Sequence, residues 1–242
     1  MAKKDKKITA PETIDKKRPA PETTNSNPTN PESQVLNCLS HDTSPPPTPV
    51  NTLHASSILT LAKFFSRKEC LALQNFIDTS PERSTTRQKA TSEYTFRHND
   101  RIQFDSLEIA NLISSRIKAH PCYSDVLENI HVTDIDVNPN IRLYRYLPSM
   151  RFGPHYDESN VTSNGKTTRW TILIYLNSVE GGGETNFWLD HDASNHDQAN
   201  FLRVPPVEGT MLLHLHGDDC LLHEGAEVTA GIKYLFRTDL CF

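Results

Sequence analysis

Asn140-Ile141-Arg142-Leu143-Tyr144-Arg145-Tyr146, followed after a short gap by Phe152-Gly153-Pro154-His155-Tyr156-Asp157, sets the architecture of this chain. β-Branched, aromatic and other apolar residues come in short runs, and glycine, proline or asparagine breaks each run at a close interval, which is how short strands closed by turns are written. The same texture recurs in Trp170 to Leu176, Thr185 to Trp188, Thr210 to His216 and Tyr234 to Leu240. From about residue 130 onward the sequence therefore predicts a sandwich or barrel, and the fold class is mainly β with flanking helices, α+β.

The helices lie upstream. Ile58-Leu59-Thr60-Leu61, with Phe64 and Phe65 beyond it, predicts a first strand. Ser66-Arg67-Lys68-Glu69 reads as a capping box opening a helix that ends near Thr79-Ser80-Pro81. Asp105-Ser106-Leu107-Glu108 repeats the device before Ile109, Leu112, Ile113 and Ile117, whose three-and-four spacing makes a second amphipathic helix. Gly181-Gly182-Gly183 reads as a tight turn, since no helix or Gly-Lys-Ser follows it as a phosphate cradle requires. His191 to Asn200 reads as an exposed loop, and Asn99-Asp100-Arg101 as a turn or an element facing a substrate groove.

A chain of 242 residues, 36% of them hydrophobic, can bury one good core. Most of the 16 prolines and a cluster of lysines crowd into the first fifty residues, so residues 1–52 are expected to be a disordered tail and residues 53–242 one folded domain with its β core at about 130–242. The net charge is −5, and the basic residues of the tail leave the remainder more acidic still, a poor match for a phosphate backbone. No apolar run is long enough to span a bilayer and no secretory leader is evident, so a cytoplasmic or nuclear protein without membrane contact is expected. Lys6-Lys7 and Lys16-Lys17-Arg18 fit a two-part nuclear import signal as well as they fit a solvated tail. The five cysteines show no CxxC spacing and read as free thiols.

Residues two apart on a strand face the same way, so His155 and Asp157 can reach one ion together, and His223 can join them from a strand folded alongside. Two imidazoles and a carboxylate leave coordination positions open, which suits a non-haem Fe(II) centre that must still take up an organic acid and O2. Eleven histidines offer accidental matches, so the flanking residues matter. Lys233 follows His223 by ten residues on the closing strand, where its ammonium can hold the far carboxylate of a dicarboxylic acid. Tyr146 is placed to donate its hydroxyl to the same group. Arg237 is the reserve anchor, a substrate contact or a partner of Asp239, while His214 and His216, lacking the Glu-Gly and the later lysine, read as pocket or core residues.

Together with Gly181-Gly182-Gly183-Glu184-Thr185, Val207-Glu208-Gly209, His223-Glu224-Gly225 and Arg237-Thr238-Asp239, these blocks resemble the 2-oxoglutarate and Fe(II)-dependent oxygenases, in particular their prolyl 4-hydroxylase-like branch. The resemblance runs over roughly residues 55 to 242 and is strongest after residue 140. It implies a double-stranded β-helix, or jelly roll. It also implies His155, Asp157 and His223 as catalytic iron ligands, Lys233 with Tyr146 as the 2-oxoglutarate site, O2 as second substrate and ascorbate as an accessory cofactor. The activity implied is that of an oxidoreductase, a dioxygenase coupling decarboxylation of 2-oxoglutarate to hydroxylation of an unactivated C–H bond, most plausibly of a prolyl residue in a protein or peptide.

Two rival readings stand beside it. Oxidative demethylation of nucleic acid uses the same chemistry, but the acidic core and the missing paired arginines after the distal histidine speak against it. A jelly-roll module holding a structural metal has no use for a cosubstrate cation such as Lys233. Neither substrate nor oligomeric state is written in the sequence.

Overall fold

The computed structural model describes residues 30–39, 48–54, 57–92, 94–130, 133–162, 165–189 and 201–242. In chain order the elements are α1 Pro31–Cys38, β1 Val50–His54, β2 Ile58–Leu61, α2 Arg67–Thr79, β3 Ser84–Gln88, β4 Arg97–Asp105, α3 Leu107–Ala119, α4 Tyr123–Ile130, β5 Asp136–Val137, β6 Asn140–Tyr146 and β7 Arg151–His155. After these come β8 Thr168–Tyr175, β9 Gly181–Gly182, β10 Thr185–Trp188, β11 Phe201–Val204, β12 Met211–Leu215, β13 His223–Gly225, β14 Val228–Ala230 and β15 Lys233–Cys241.

Antiparallel pairing joins these strands in the order β1-β2-β12-β8-β15-β6-β4-β7-β13-β10-β11, with β3 on β4 and β5 on β15, while β9 and β14 form a separate ribbon. The long path curls on itself as a jelly roll. β4 is the corner: its later residues pair with β6, while Arg97 and His98 pair with Phe152 and Arg151 of β7.

Period-two alternation sorts the central strands between two apolar layers. Leu143, Ile172, Ile174, Met211, Leu213 and Phe236 face outward and meet Leu73, Ile77, Ile109, Ile113 and Ile117 of the helices in one cluster. Tyr144, Leu173, Tyr175, Leu212 and Leu235, their sequence neighbours, face into the roll with Phe152 and Phe187. A one-residue slip in any of these strands would exchange the two layers, so the register is strongly specified.

Capping follows the sequence at α2, where the Ser66 side chain accepts from the Glu69 N–H and the Glu69 carboxylate accepts from the Ser66 N–H. Glu69 also takes the Arg116 guanidinium from α3 in a buried ion pair that ties the two helices together. At α3 the expected box is displaced by one residue: Ser106, not Asp105, is the N-cap and accepts from Ile109, while its hydroxyl donates to Glu32.

Three expectations need correction. Residues 31–39 are not a disordered tail, since Asn30 caps α1 and Val35 and Leu39 are buried in the outer layer. Ordered structure also resumes before residue 53, because β1 begins at Val50. Asn99-Asp100-Arg101 is no turn but the middle of β4, held straight by pairing with β3 and β6. Residues 1–29 and 40–47 of the expected tail and the expected loop at 191–200 lie outside the described residues. Among the described residues, no helix is long and apolar enough to cross a membrane.

Candidate active site

β7 and β13 lie antiparallel with His155 and His223 as direct partners, which brings two residues far apart in sequence to one point. Asp157 follows two residues beyond His155. Its Oδ1 is 3.7 Å from His155 Nε2 and its Oδ2 is 3.7 Å from His223 Nε2. The possible ligand atoms of the three residues all lie within 4.8 Å of one another, and all three residues are buried.

Each member is oriented by a group behind it. His155 Nδ1 donates to the Gly153 carbonyl at 2.8 Å and His223 Nδ1 donates to the Leu221 carbonyl at 3.0 Å, which leaves both Nε2 lone pairs directed at the centre. Phe152 stacks on the His155 ring at 3.7 Å and Phe187 lies along the His223 ring at 5.5 Å, so neither imidazole is free to swing. Asp157 Oδ2 accepts from Thr171 Oγ1 at 2.6 Å and from the Arg237 guanidinium at 2.8 Å.

The electrostatics match ligand duty. Burial pushes His155 well below the ordinary imidazole range and lowers His223 as well, so both are neutral bases at neutral pH. Burial opposes ionisation of Asp157, but Arg237 together with His223, His155 and His216 outweighs it and holds the carboxyl well below its usual range. Two neutral nitrogens and one anionic oxygen form a donor set for a divalent transition metal, and their fixed orientations fit one.

Lys233 opens β15, pairs with Tyr146 of β6 and is almost fully buried. Its Nζ lies 5.7 Å from the Tyr146 ring centre and 5.6 Å from that of Tyr175, with no ion-pair partner among the described residues. Burial pulls this lysine down to about 7, with Glu184 opposing. A buried amine facing aromatic rings lacks the anion that would complete it, and a carboxylate of 2-oxoglutarate has the required chemistry. Burial raises Tyr146 to about 12, so its hydroxyl is a neutral donor. Triad, Lys233 and Tyr146 line a single cavity of about 430 Å³, its open mouth included.

Arg237 is bonded to Asp157 and close to Asp239, hence committed to the triad rather than held in reserve for the cosubstrate. His214 and His216 are both buried near Asp157: His216 Nε2 shares a 2.6 Å hydrogen bond with Thr171 Oγ1, while His214 Nε2 finds no partner. His214, Cys220 and His223 form an overlapping set of possible metal donors, but it contains no carboxylate. Sequence reading did not find Thr171 or Arg97. Thr171 sits in an apolar run, and Arg97 stands beside residues that read as a turn.

The family model of the 2OG-Fe(II) oxygenase superfamily matches residues 141–238. A probable prolyl 4-hydroxylase 9 of Arabidopsis thaliana is 31% identical over 110 residues, which is 40% of this chain and 38% of that protein. The matched region thus spans well under half of that relative. Among solved structures, a viral collagen prolyl hydroxylase from Paramecium Bursaria Chlorella virus-1 superposes with a TM-score of 0.51 at 20% identity, covering 76% of this chain and 96% of the other. A Pseudomonas putida prolyl-4-hydroxylase gives 0.53 at 14% identity, covering 77% and 93%. These two likenesses concern the fold. Residues 141–238 thus match the 2OG-Fe(II) oxygenase superfamily, and this match, the sequence relative and the jelly roll agree in likening the chain to prolyl 4-hydroxylase-like oxygenases.

Proposed function

We propose that this chain is an Fe(II)- and 2-oxoglutarate-dependent dioxygenase that hydroxylates an unactivated C–H bond in a protein or peptide, a prolyl residue first among them. One observation carries the reading: His155, Asp157 and His223 converge in the cavity that also holds the unpaired cation of Lys233. The prolyl preference is supported by the Arabidopsis relative, and fold alone does not fix a substrate.

In this reading His155 Nε2, His223 Nε2 and Asp157 hold the iron, and Lys233 with Tyr146 holds the distal carboxylate of 2-oxoglutarate. What iron and cosubstrate supply when bound is oxidation by O2 strong enough for a C–H bond, with succinate and CO2 as co-products. The protein supplies position. The Gly153 and Leu221 carbonyls fix the tautomers, while Arg237 and Thr171 restrain one oxygen of Asp157 and so limit its rotation. Tyr175, fully buried beside Lys233, and Phe187, fully buried beside His223, pack behind the cavity lining; the low-dielectric surroundings of Tyr175 strengthen charge pairing at Lys233. Ascorbate joins the reading as an accessory reductant. A cytoplasmic or nuclear setting accords with five free cysteines.

The test is incubation of the purified chain with Fe(II), 2-oxoglutarate and proline-containing peptides, followed by mass spectrometry and a succinate assay. A gain of one oxygen on proline with matching succinate is expected. Succinate without oxidised peptide removes the prolyl substrate, and no succinate with any substrate removes the activity.

A further inference from the structure

Arg97 stands at the first residue of β4, paired with Phe152, and is 7% exposed. Its guanidinium covers the Phe152 ring at 4.6 Å and the Tyr144 ring at 5.1 Å, and Phe152 in turn stacks on His155 at 3.7 Å. Arg97 Nε donates to Asn99 Oδ1 at 2.8 Å, but one terminal nitrogen is buried without a hydrogen-bond partner among the described residues. The residue lines the same cavity as the triad.

A buried guanidinium is stable only when an anion or several acceptors meet it. The acids near Arg97 are engaged elsewhere. Asp157 is held by Arg237, Asp239 by Arg142, and Asp100, on the opposite face of β4, by Arg145. Glu224 accepts from Asn186 at 2.9 Å. Asn186 is a neutral partner, but no ion pair joins Glu224 or any other acid to Arg97 among the described residues, so with Lys233 matched to the cosubstrate the Arg97 guanidinium is left unpaired on the cavity wall. The neighbourhood registers that charge: burial would raise the Tyr144 phenol, yet Arg97 and the arginines around it bring it down to about 7.

We propose that Arg97 forms a substrate-reading subsite that binds a carboxylate of the protein or peptide substrate, an Asp or Glu side chain near the carbon to be hydroxylated. The planar fork of an arginine matches a carboxylate with two parallel hydrogen bonds, and a site shielded by aromatic rings makes that pairing strong. One aromatic layer separates the guanidinium from the His155 ring, so the acid belongs about one to three residues from the reacting position, at roughly 3.4 Å per extended residue. The inference rests on the oxygenase reading for its substrate, but the unsatisfied guanidinium that motivates it belongs to the cavity alone.

The experiment is selection of acetylated, amidated nonapeptides, randomised except for a central residue that is proline in one library and alanine in the other. The full chain is used, loaded with Mn(II) and 2-oxoglutarate and also without either, and bound peptides are sequenced by mass spectrometry. Expected is enrichment of Asp or Glu at a fixed offset from the centre by about tenfold, lost in Arg97→Gln and only partly kept in Arg97→Lys. Affinity of both variants for 2-oxoglutarate stays within about twofold of the parent, which also reports that they fold.

Absence of acidic enrichment, or enrichment that survives Arg97→Gln, overturns the subsite. So does a loss of 2-oxoglutarate affinity in Arg97→Gln comparable with that from removing the Lys233 amine. Acidic enrichment in the alanine library alone keeps the subsite and removes the prolyl preference. Acidic enrichment on a protein that binds neither metal nor 2-oxoglutarate keeps the subsite and removes the oxygenase reading.

Discussion

In the proposed function, Lys233 is the residue on which cosubstrate use depends. Replacing it with methionine keeps most of the volume and removes the charge, so the affinity for 2-oxoglutarate should fall by roughly 10- to 100-fold, the worth of a buried charge-assisted hydrogen bond. Titration of the Mn(II)-loaded protein measures this, and an unchanged affinity would move the anchor elsewhere. The amine sits near 7 because burial disfavours its charged form, with the Tyr146 and Tyr175 rings and Glu184 around it. Above that pH the free lysine is mostly neutral, and binding a dianion requires it to take up a proton. Affinity for 2-oxoglutarate should therefore decline as pH rises through about 7, by at most about tenfold per unit, and level off below. Calorimetry at about pH 8 in buffers of different ionisation heat should show close to one proton absorbed per ligand; no uptake would contradict the lysine assignment. Arg237 is bonded to Asp157 and, in the proposed function, would act one step back from the metal. Arg237→Gln leaves Asp157 without its guanidinium and should weaken metal binding by about 10- to 100-fold, with the lost orientation as the cause.

Turns and strand edges carry the next constraint. Gly182 has φ +70°, and a Cβ there would lie 2.0 Å from the Glu227 carbonyl across the β9–β14 ribbon. Gly182→Ala should cost more than about 2 kcal/mol, seen as a shifted denaturation midpoint, because the left-handed backbone and the clash add. A shift within error would mean the ribbon yields without strain. The three glycines were read beforehand as a tight turn, whereas Gly181–Gly182 form β9 paired with β14; β6, β8, β10, β12 and β15 were legible from their apolar runs and α2 from its capping box. β4 was not legible. Arg97, His98, Asn99, Asp100 and Arg101 are polar, yet contacts of Asp100 with Arg145 and Thr85 and of Arg97 with the aromatic wall make them tolerable in a strand. Local propensity cannot register partners so distant in sequence. The helix α1 was hidden for the same reason, since eight residues in a proline-rich setting fold only against α2 and β4. The triad was readable as a pattern of His155, Asp157 and His223, but its support by Arg237 was not, because the pairing of β15 with β8 sets which carboxylate the guanidinium meets.

At the scale of the whole molecule, two layers share one sheet, and the site belongs to only one of them. The candidate ligands come from β7, β13 and the turn after β7, and the candidate anchor comes from β15, so metal with 2-oxoglutarate would be held by strands that are remote in the sheet order. A ligand that binds only the folded state stabilises it by about 2.7 kcal/mol at one hundred times its dissociation constant. Mn(II) with 2-oxoglutarate should therefore raise the unfolding temperature, and chelation should reverse the rise. The two layers then separate experimentally. Ile113→Ala, in the outer layer between α3 and the sheet, should cost about 2–5 kcal/mol of stability and leave the ligand-induced rise intact. Leu235→Ala lies in the inner layer beside the cavity, two residues from both Lys233 and Arg237, and should reduce that rise as well as stability. If both variants lost the ligand response equally, the outer helices would be helping to shape the cavity, and the division of the sheet into a structural face and a binding face would fail.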